Sequence, residues 1–448
     1  MIAIVSRTSS LGARLLHACT RVHTRLTRAS GTTVVMRRTA TPHPASAPAA
    51  PSLLLAVRRA FVCIAVLCTA TFAAAQPAAT SPWRVGVIAS QSAGSAIGAL
   101  QARVAERFAE AFADVGVFGA PFAVDVRDDA GDPRRAEAIA RDLIDGGVLA
   151  LVCCSSPAAS DRVSAVAEAA GVVLLGLDGG SALDHVWTLT LRADARTQMT
   201  AVAVHVADEG KSGMALMTLD NAFGDAANTA FERALVDAGR NPVGTVRYPP
   251  SATVLTPEAL WAATREPGAI VVWGLTTDTN LALQGLRARG WFGPAYVRPE
   301  TIGPGRWRRL TASETGPTAP PADGDAWWQV RSAVSPITVL ESLPAEHPNR
   351  EAARATLERI DGLGVRLDPI DVGVLALIDD ALMLLQRAFE QVAALGLPPD
   401  LPVPTVRQAV LDALLSAPSR PLAAGTYAPR PGDARLARWE GLVIVGTR

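Results

Sequence analysis

The sequence is poor in several residue types. It has a single lysine, Lys211, three tyrosines in 448 residues, and an aromatic content of 5%. Nine arginines and no acidic residue lie in residues 1–75, so the rest of the chain, which holds all 42 acidic residues, has a net charge of about −9. An acidic body without a basic stretch argues against binding to a nucleic-acid backbone.

Cysteine and histidine are also scarce. Three of the five cysteines lie in the first 75 residues, which leaves only the adjacent pair Cys153 and Cys154. Adjacent cysteines rarely bond each other because the geometry strains the peptide between them. We therefore expect two small buried residues at a strand end. The six histidines show no metal-ligand spacing, so the sequence predicts no metal site.

Long apolar runs are missing after residue 75. The one candidate, Ala60–Phe72, follows Arg58 and Arg59 and ends in three alanines, which is the layout of a secretory signal peptide. The run is shorter than the ~20 residues of a spanning helix. We predict a leader at 1–75 with a signal peptide at about 53–75, cleavage, and a periplasmic or extracytoplasmic location. Tethering through an uncleaved leader and a start at Met36 instead of Met1 stay open.

Strand and helix patterns alternate along the rest of the chain. Short apolar runs such as Trp83–Ile88 and Val148–Val152 alternate with helical periodicity, and the same rhythm restarts after Arg192. Such a pattern predicts an α/β protein with two doubly wound, Rossmann-like lobes. A cleft between the carboxyl ends of the two sets of strands would form a natural ligand site.

Four motifs carry a resemblance. They are DDAGDP at 128–133, NAFGD at 221–225, PE at 299–300 and DDA at 379–381. In this order they resemble the periplasmic leucine/isoleucine/valine-binding protein family, the type 1 solute-binding proteins of ABC importers. The resemblance covers about 83–448 and is weakest at 303–350.

The resemblance implies a domain division and a function. Lobe I would comprise 83–192 plus about 327–420, and lobe II 193–326 plus about 421–448, joined by a three-crossover hinge. The two lobes would close on an amino acid or similar small carboxylate, and the partners would be an ABC permease and its ATPases. The resemblance implies no cofactor.

Candidate ligand residues on lobe I follow two buried strands. Ser155 and Ser156 offer hydroxyl and backbone N–H groups that suit a carboxylate, and the family uses a serine at the position of Ser155; the alternative is helix capping. Asp178, Gly179 and Gly180 occupy the family's second carboxylate-binding turn. Gly180 lacks the hydroxyl expected there and Asp178 adds a charge, and an Asx-turn is the equal alternative.

Candidate residues on lobe II are Phe223, Leu275 and Glu300. Phe223 stands where the family often has tyrosine, and Leu275 replaces another cleft aromatic, a role that Trp273 could take instead of packing in the core. Glu300 matches the acidic residue that pairs with the ligand ammonium; the alternative is a surface glutamate.

No enzyme signature is present. The chain lacks a GxSxG elbow, a phosphate-binding Walker loop and an HExxH motif. Asp128, Asp129 and Asp132 lie at a strand end and helix start, where turns and caps explain them better than a metal. The sequence therefore predicts a binding protein and not an enzyme. Three alternatives stay open. The first is a ligand that is not an amino acid, such as a small or aromatic acid, and the second is a sensor or accessory protein that serves a partner other than a permease. The third is an enzyme, which a hydrolysed product after incubation with ligand would indicate.

Overall fold

The computed structural model describes residues 81–447 except 95, 114, 155, 179–184, 304–309, 312–325 and 431. The predicted leader, with its signal peptide at about 53–75, lies outside the described residues. None of the helices in the described part of the chain combines the length and apolar character needed to cross a membrane.

The first sheet consists of five parallel strands. They are β1 (Trp83–Ala89), β2 (Phe122–Asp128), β3 (Ala150–Cys153), β4 (Val173–Gly176) and β5 (Thr188–Thr190), in the order β2-β1-β3-β4-β5. Three helices connect the first four strands: α1 (Ala96–Phe112), α2 (Pro133–Asp145) and α3 (Pro157–Ala170). All residues of β3 and β4 are buried, as expected of strands covered by helices on both faces.

The second sheet repeats this construction. In chain order its elements are α4 (Ala195–Asp208), β6 (Met214–Leu219), α5 (Ala222–Asp237), β7 (Pro242–Tyr248), α6 (Thr256–Ala263), β8 (Ala269–Trp273), α7 (Thr276–Ala288), β9 (Ala295–Val297), β10 (Leu310–Thr311) and β11 (Val330–Val334). The strand order is β10-β15-β11-β9-β8-β6-β7, where β15 (Val443–Thr447) is antiparallel to its neighbours. The predicted pair of doubly wound lobes is confirmed.

The remaining elements lie between β11 and β15. They are α8 (Arg350–Asp361), α9 (Pro369–Ala394), α10 (Val403–Ser416), β12 (Arg420–Pro421), β13 (Thr426–Tyr427) and β14 (Ala437–Arg438). Their buried apolar side chains, including those of α9 and Leu422 to Ala437, belong to the same core as β1. The chain therefore passes between the lobes after β5, after β11 and after β14.

The lobe boundaries differ from the predicted positions in two places. Residues 327–334 were expected in lobe I, but β11 pairs with β9 and β15 of the second sheet. Residues 421–437 were expected in lobe II, but Leu422, Tyr427 and Leu436 pack in the first core. We therefore propose that lobe I comprises 83–190 and 336–437, and lobe II 195–334 and 443–447.

A buried carboxyl group anchors the chain before the third crossover. Asp380 on α9 accepts hydrogen bonds from Ala423 N (3.0 Å), Ala424 N (2.8 Å) and Tyr427 Oη (2.9 Å). Burial raises the pKa of Asp380 to about 7, although these hydrogen bonds oppose the shift. The chain segments that lead into the first and third crossovers also run side by side, because Thr190 N donates to the carbonyl oxygen of Ala434.

One cysteine prediction is wrong. Cys153 and Cys154 are buried at the end of β3 as expected, but they form a disulfide with each other. The peptide bond that joins them is cis, an arrangement that the residue pattern alone did not indicate.

Candidate functional site

Three neighbouring strands of lobe II bring an arginine and two aromatic side chains together. Strands β6, β8 and β9 are adjacent in the sheet and parallel, so their carboxyl ends lie at one edge. Phe223 follows β6, Trp273 ends β8, and Arg298 follows β9. This edge, defined by Phe223, Trp273 and Arg298 with the adjoining Glu300, is here called the lobe II wall.

Local sequence fixes the position of Phe223. Asn221 caps α5 and its side-chain oxygen accepts a hydrogen bond from Gly224 N at 3.1 Å. A Cβ atom at residue 224 would lie 1.7 Å from the carbonyl oxygen of Leu219. Only glycine therefore allows the helix to start this close to β6, which places Phe223 in the first turn at the strand end.

Arg298 contacts the other members of the lobe II wall. Its guanidinium carbon lies 5.2 Å from the ring centroid of Phe223 and 5.7 Å from that of Trp273, within cation–π range. Its Nη1 lies 3.4 Å from the carbonyl oxygen of Gly274, and its Nη2 lies 3.5 Å from Glu300 Oε2. Sequence reasoning missed Arg298, and the only signal was its place directly before the Pro299-Glu300 motif.

Glu300 lies between two guanidinium groups. Its Oε1 accepts a hydrogen bond from Arg192 Nη2 at 2.6 Å, and its Oε2 faces Arg298. The Glu300 side chain is 31% exposed. Arg192 lies in the first crossover, so the pair also ties lobe II to the hinge. The ammonium-binding role of Glu300 stays a prediction.

Leu275 and Trp273 lie at the carboxyl end of β8. Leu275 precedes α7 and is 57% exposed, and its backbone N–H donates to Asp278 Oδ2. Trp273 packs in the core of lobe II, and its ring also lies beside Arg298. A role of either residue in the ligand cleft stays a prediction.

The lobe I candidates are only partly within the described residues. Ser156 is half-buried and caps α3, where its Oγ accepts a hydrogen bond from Ala159 N at 3.3 Å. Asp178 is half-buried two residues after β4. Ser155, Gly179 and Gly180 lie outside the described residues. Capping is thus present at Ser156, and the ligand roles of all five stay predictions.

The aspartates after β2 form turns and a cap. The Asp128 carboxylate accepts hydrogen bonds from Ser92 Oγ (2.6 Å) and Ala130 N (2.9 Å), among others. The Ser92 hydroxyl, assisted by backbone N–H groups, lowers the pKa of Asp128 to about 2 despite some burial. Asp129 accepts from the backbone two residues on, and Asp132 caps α2. The predicted structural role is confirmed. Within the described ranges no group of three or more His, Cys, Asp or Glu could hold a metal ion.

A small solvent-open cavity of about 70 Å³ lies where the lobes meet at the crossovers. Lobe I contributes Thr338, Leu377 and Gly425 to its lining, among other residues, and lobe II contributes Gln198 and Glu300. Glu300 therefore belongs both to this cavity and to the lobe II wall. Ser156, Asp178, Phe223 and Leu275 are not among the lining residues.

The chain matches a known family over half its length. The sequence pattern of the periplasmic binding protein family matches residues 82–305. No functionally curated protein matches the chain.

Solved structures share the architecture. One is an extracellular ligand-binding receptor from Rhodopseudomonas palustris HaA2, with 18% identity and a TM-score of 0.58 over 82% of this chain and 98% of that one. Another is a putative branched-chain amino acid ABC transporter from Rhodospirillum rubrum, with 18% identity and a TM-score of 0.60 over 79% of this chain and 99% of that one.

A third is the branched-chain amino acid transporter substrate-binding protein LivJ from Streptococcus pneumoniae, in complex with isoleucine. It has 12% identity and a TM-score of 0.53 over 82% of this chain and 99% of that one. At such identities these similarities show the fold alone, which is that of type 1 periplasmic binding proteins.

Proposed function

Because the chain belongs to the periplasmic binding protein family, we propose that it is the exported solute-binding component of an ABC importer. In this role it captures an amino acid or a similar small carboxylate between its two lobes. The observation that carries the proposal is the lobe II wall, where three adjacent strand ends bring an arginine and two aromatic rings together. Apolar surface with a few convergent polar groups is the usual composition of a small-molecule site.

The mechanism is hinge closure. The three crossovers are the only covalent links between the lobes in the described ranges, and the Arg192–Glu300 pair joins the first of them to the lobe II wall. A ligand that touches both lobes binds the closed form more tightly and shifts the population toward it. The closed form is then what the permease recognises, and the solute is passed on without chemical change.

The test is thermal unfolding of the full-length protein against a panel of amino acids and small carboxylates, with sugars and nucleosides as other solute classes. A ligand at 100 times its dissociation constant stabilises the folded state by about 2.7 kcal/mol. A midpoint increase with at least one amino acid or carboxylate is expected. An increase with sugars or nucleosides only, or with nothing in the panel, contradicts the proposal.

A matched pair of variants locates the site. Phe223→Ala removes a ring of the lobe II wall, so the ligand-induced increase in midpoint should shrink or vanish. Phe118→Ala removes a phenylalanine that is 73% exposed in lobe I, so the increase should stay at the wild-type value. Equal responses of the two variants would place the ligand elsewhere.

A further inference from the structure

We propose that Arg298 binds the acid group of the ligand. The ligand is then a small carboxylic acid with an apolar or aromatic body, and it has no amino group for Glu300 to bind. This inference rests on the proposed function and narrows its solute class. It makes Arg298 the specificity-determining residue of the lobe II wall.

The charges around Glu300 favour an anionic ligand group. One carboxylate faces two guanidinium groups, from Arg192 at 2.6 Å and Arg298 at 3.5 Å, so the cluster has a net positive charge. A ligand ammonium would add a third cation beside a carboxylate that is already paired. An anion is attracted to the same place, since nearby cations favour the charged form of an acid.

The polar contacts of Arg298 are long. Within the described residues they run to the Gly274 carbonyl and to Glu300, at 3.4 and 3.5 Å. Elsewhere in the same lobe, Arg196 makes two short bonds of 2.7 and 2.8 Å to Asp237, the bidentate geometry that guanidinium groups prefer with carboxylates. Arg298 therefore has donor capacity for a carboxylate that its present partners use weakly.

The guanidinium of Arg298 is surrounded by aromatic rings. The rings of Phe223 and Trp273 lie against it, which restricts its orientation and surrounds the acid site with apolar surface. Phe223 has no hydroxyl group to bond a polar ligand substituent. Such a wall suits an acid whose remaining body is apolar.

The experiment compares ligands that differ only in the amino group. Isothermal titration of the full-length protein with 3-phenylpropanoate and L-phenylalanine, and with 4-methylpentanoate and L-leucine, gives two matched pairs. At least one acid should bind ten times more tightly than its amino acid. Tighter binding of the amino acid in both pairs overturns the inference and leaves the proposed function in place.

Variants assign the acid group to Arg298. Arg298→Met should weaken the bound acid by about 10- to 100-fold, the value of one charge-assisted contact. Arg265→Met is the matched control, since Arg265 stacks on Trp261 at 3.7 Å in the same lobe but outside the wall, and it should leave the affinity unchanged. Equal affinities for Arg298→Met and the wild type overturn the inference.

A variant at Glu300 distinguishes recognition of an acid group from recognition of an ammonium group. Glu300→Gln removes the carboxylate that competes with the ligand acid for Arg298. The acid should therefore bind to this variant at least about three times more tightly than to the wild type. A loss of binding in this variant would assign the ligand to an ammonium-binding site and overturn the inference. If Arg298→Met lowers the unfolding midpoint, Arg298→Lys keeps the charge without the planar fork, and a smaller but clear loss of affinity is then expected.

If none of the four probes binds, the thermal-unfolding panel of amino acids, carboxylates, sugars and nucleosides distinguishes failure of this inference from failure of the proposed function. A response to other amino acids only contradicts the inference alone, and a response to another acid supports it. No response to any amino acid or acid contradicts the proposed function as well.

Discussion

The strand ends of the two lobes use their polar groups differently. On lobe I, Asp128 holds the loop after β1 and Ser156 caps α3, so these side chains stabilise their own lobe. On lobe II, the polar contacts of Arg298 to described residues are long, and its guanidinium lies against two aromatic rings. This difference is the basis of our proposal that the ligand is selected by lobe II.

The largest effect on the stability of lobe I is expected at Asp380, the buried carboxylate on α9. Asp380→Ala would leave two backbone N–H groups and the Tyr427 hydroxyl without their acceptor in the core of lobe I. We expect a loss of about 3–5 kcal/mol in the free energy of unfolding, measured by urea denaturation. Asp412→Ala, at an exposed position on α10, is the control and should cost less than about 0.5 kcal/mol. Similar losses in the two variants would contradict the anchoring role.

The next largest effect concerns the placement of Phe223. Gly224→Ala forces a Cβ atom against the carbonyl oxygen of Leu219, so we expect a loss of about 2–3 kcal/mol and weaker ligand binding. Gly446→Ala in β15 is the matched control, because its Cβ atom would meet its nearest neighbour at 3.5 Å. Denaturation and calorimetry of both variants check the prediction, and equal effects would show that the close approach at Gly224 is not required.

A smaller effect is expected at the loop after β1. Asp128→Ala removes the acceptor of Ser92 Oγ and Ala130 N, at a cost of about 1–2 kcal/mol because these groups are partly exposed to water. Ser92→Ala removes one of these hydrogen bonds and should cost less. Urea denaturation of the two variants measures the difference, and a larger loss for Ser92→Ala would contradict the account.

The pH dependence of stability distinguishes the two carboxyl groups. The pKa of Asp380 in the folded state, about 7, lies above its ordinary value of 3.8, so the folded state binds the extra proton. Its contribution to the free energy of unfolding therefore falls as pH rises from about 4 to about 7. Asp380→Asn should remove this slope, and an unchanged slope would contradict the raised pKa.

Asp128 has the opposite slope. Its pKa of about 2 in the folded state lies below 3.8, so its stabilising contribution is present above about pH 4 and is lost as pH falls toward 2. Asp128→Asn should weaken the loss of stability in acid. Thermal unfolding between pH 2 and 8 tests both groups in one series.

Most of the architecture could be predicted from the sequence because strand and helix periodicities are strong in the doubly wound parts. Short strands such as β5 and β9 carry little local pattern, since three residues are too few to show a periodicity and their position depends on tertiary packing. The lobe boundaries near 327 and 421 were misplaced because β11 and the 421–437 segment are assigned by pairing and core contacts, which no local pattern encodes.

The site was less predictable than the fold. The motifs identified Phe223 and Glu300, but their connection through Arg298 depends on the adjacency of β6, β8 and β9 in the sheet. A charged residue at a strand end carries no local signal that distinguishes a binding role from a surface position. The disulfide between Cys153 and Cys154 was missed for a similar reason, since it depends on backbone geometry.

The proposed function requires that a solute be held between the two lobes. This can be measured by hydrogen–deuterium exchange of the full-length protein with and without saturating 3-phenylpropanoate. We expect slower exchange on both sides of the cleft, in the first turns of α3 and α5, with Phe118 and its neighbours unchanged. Slower exchange in α5 alone, or in neither helix while calorimetry shows saturation, would contradict capture between the lobes.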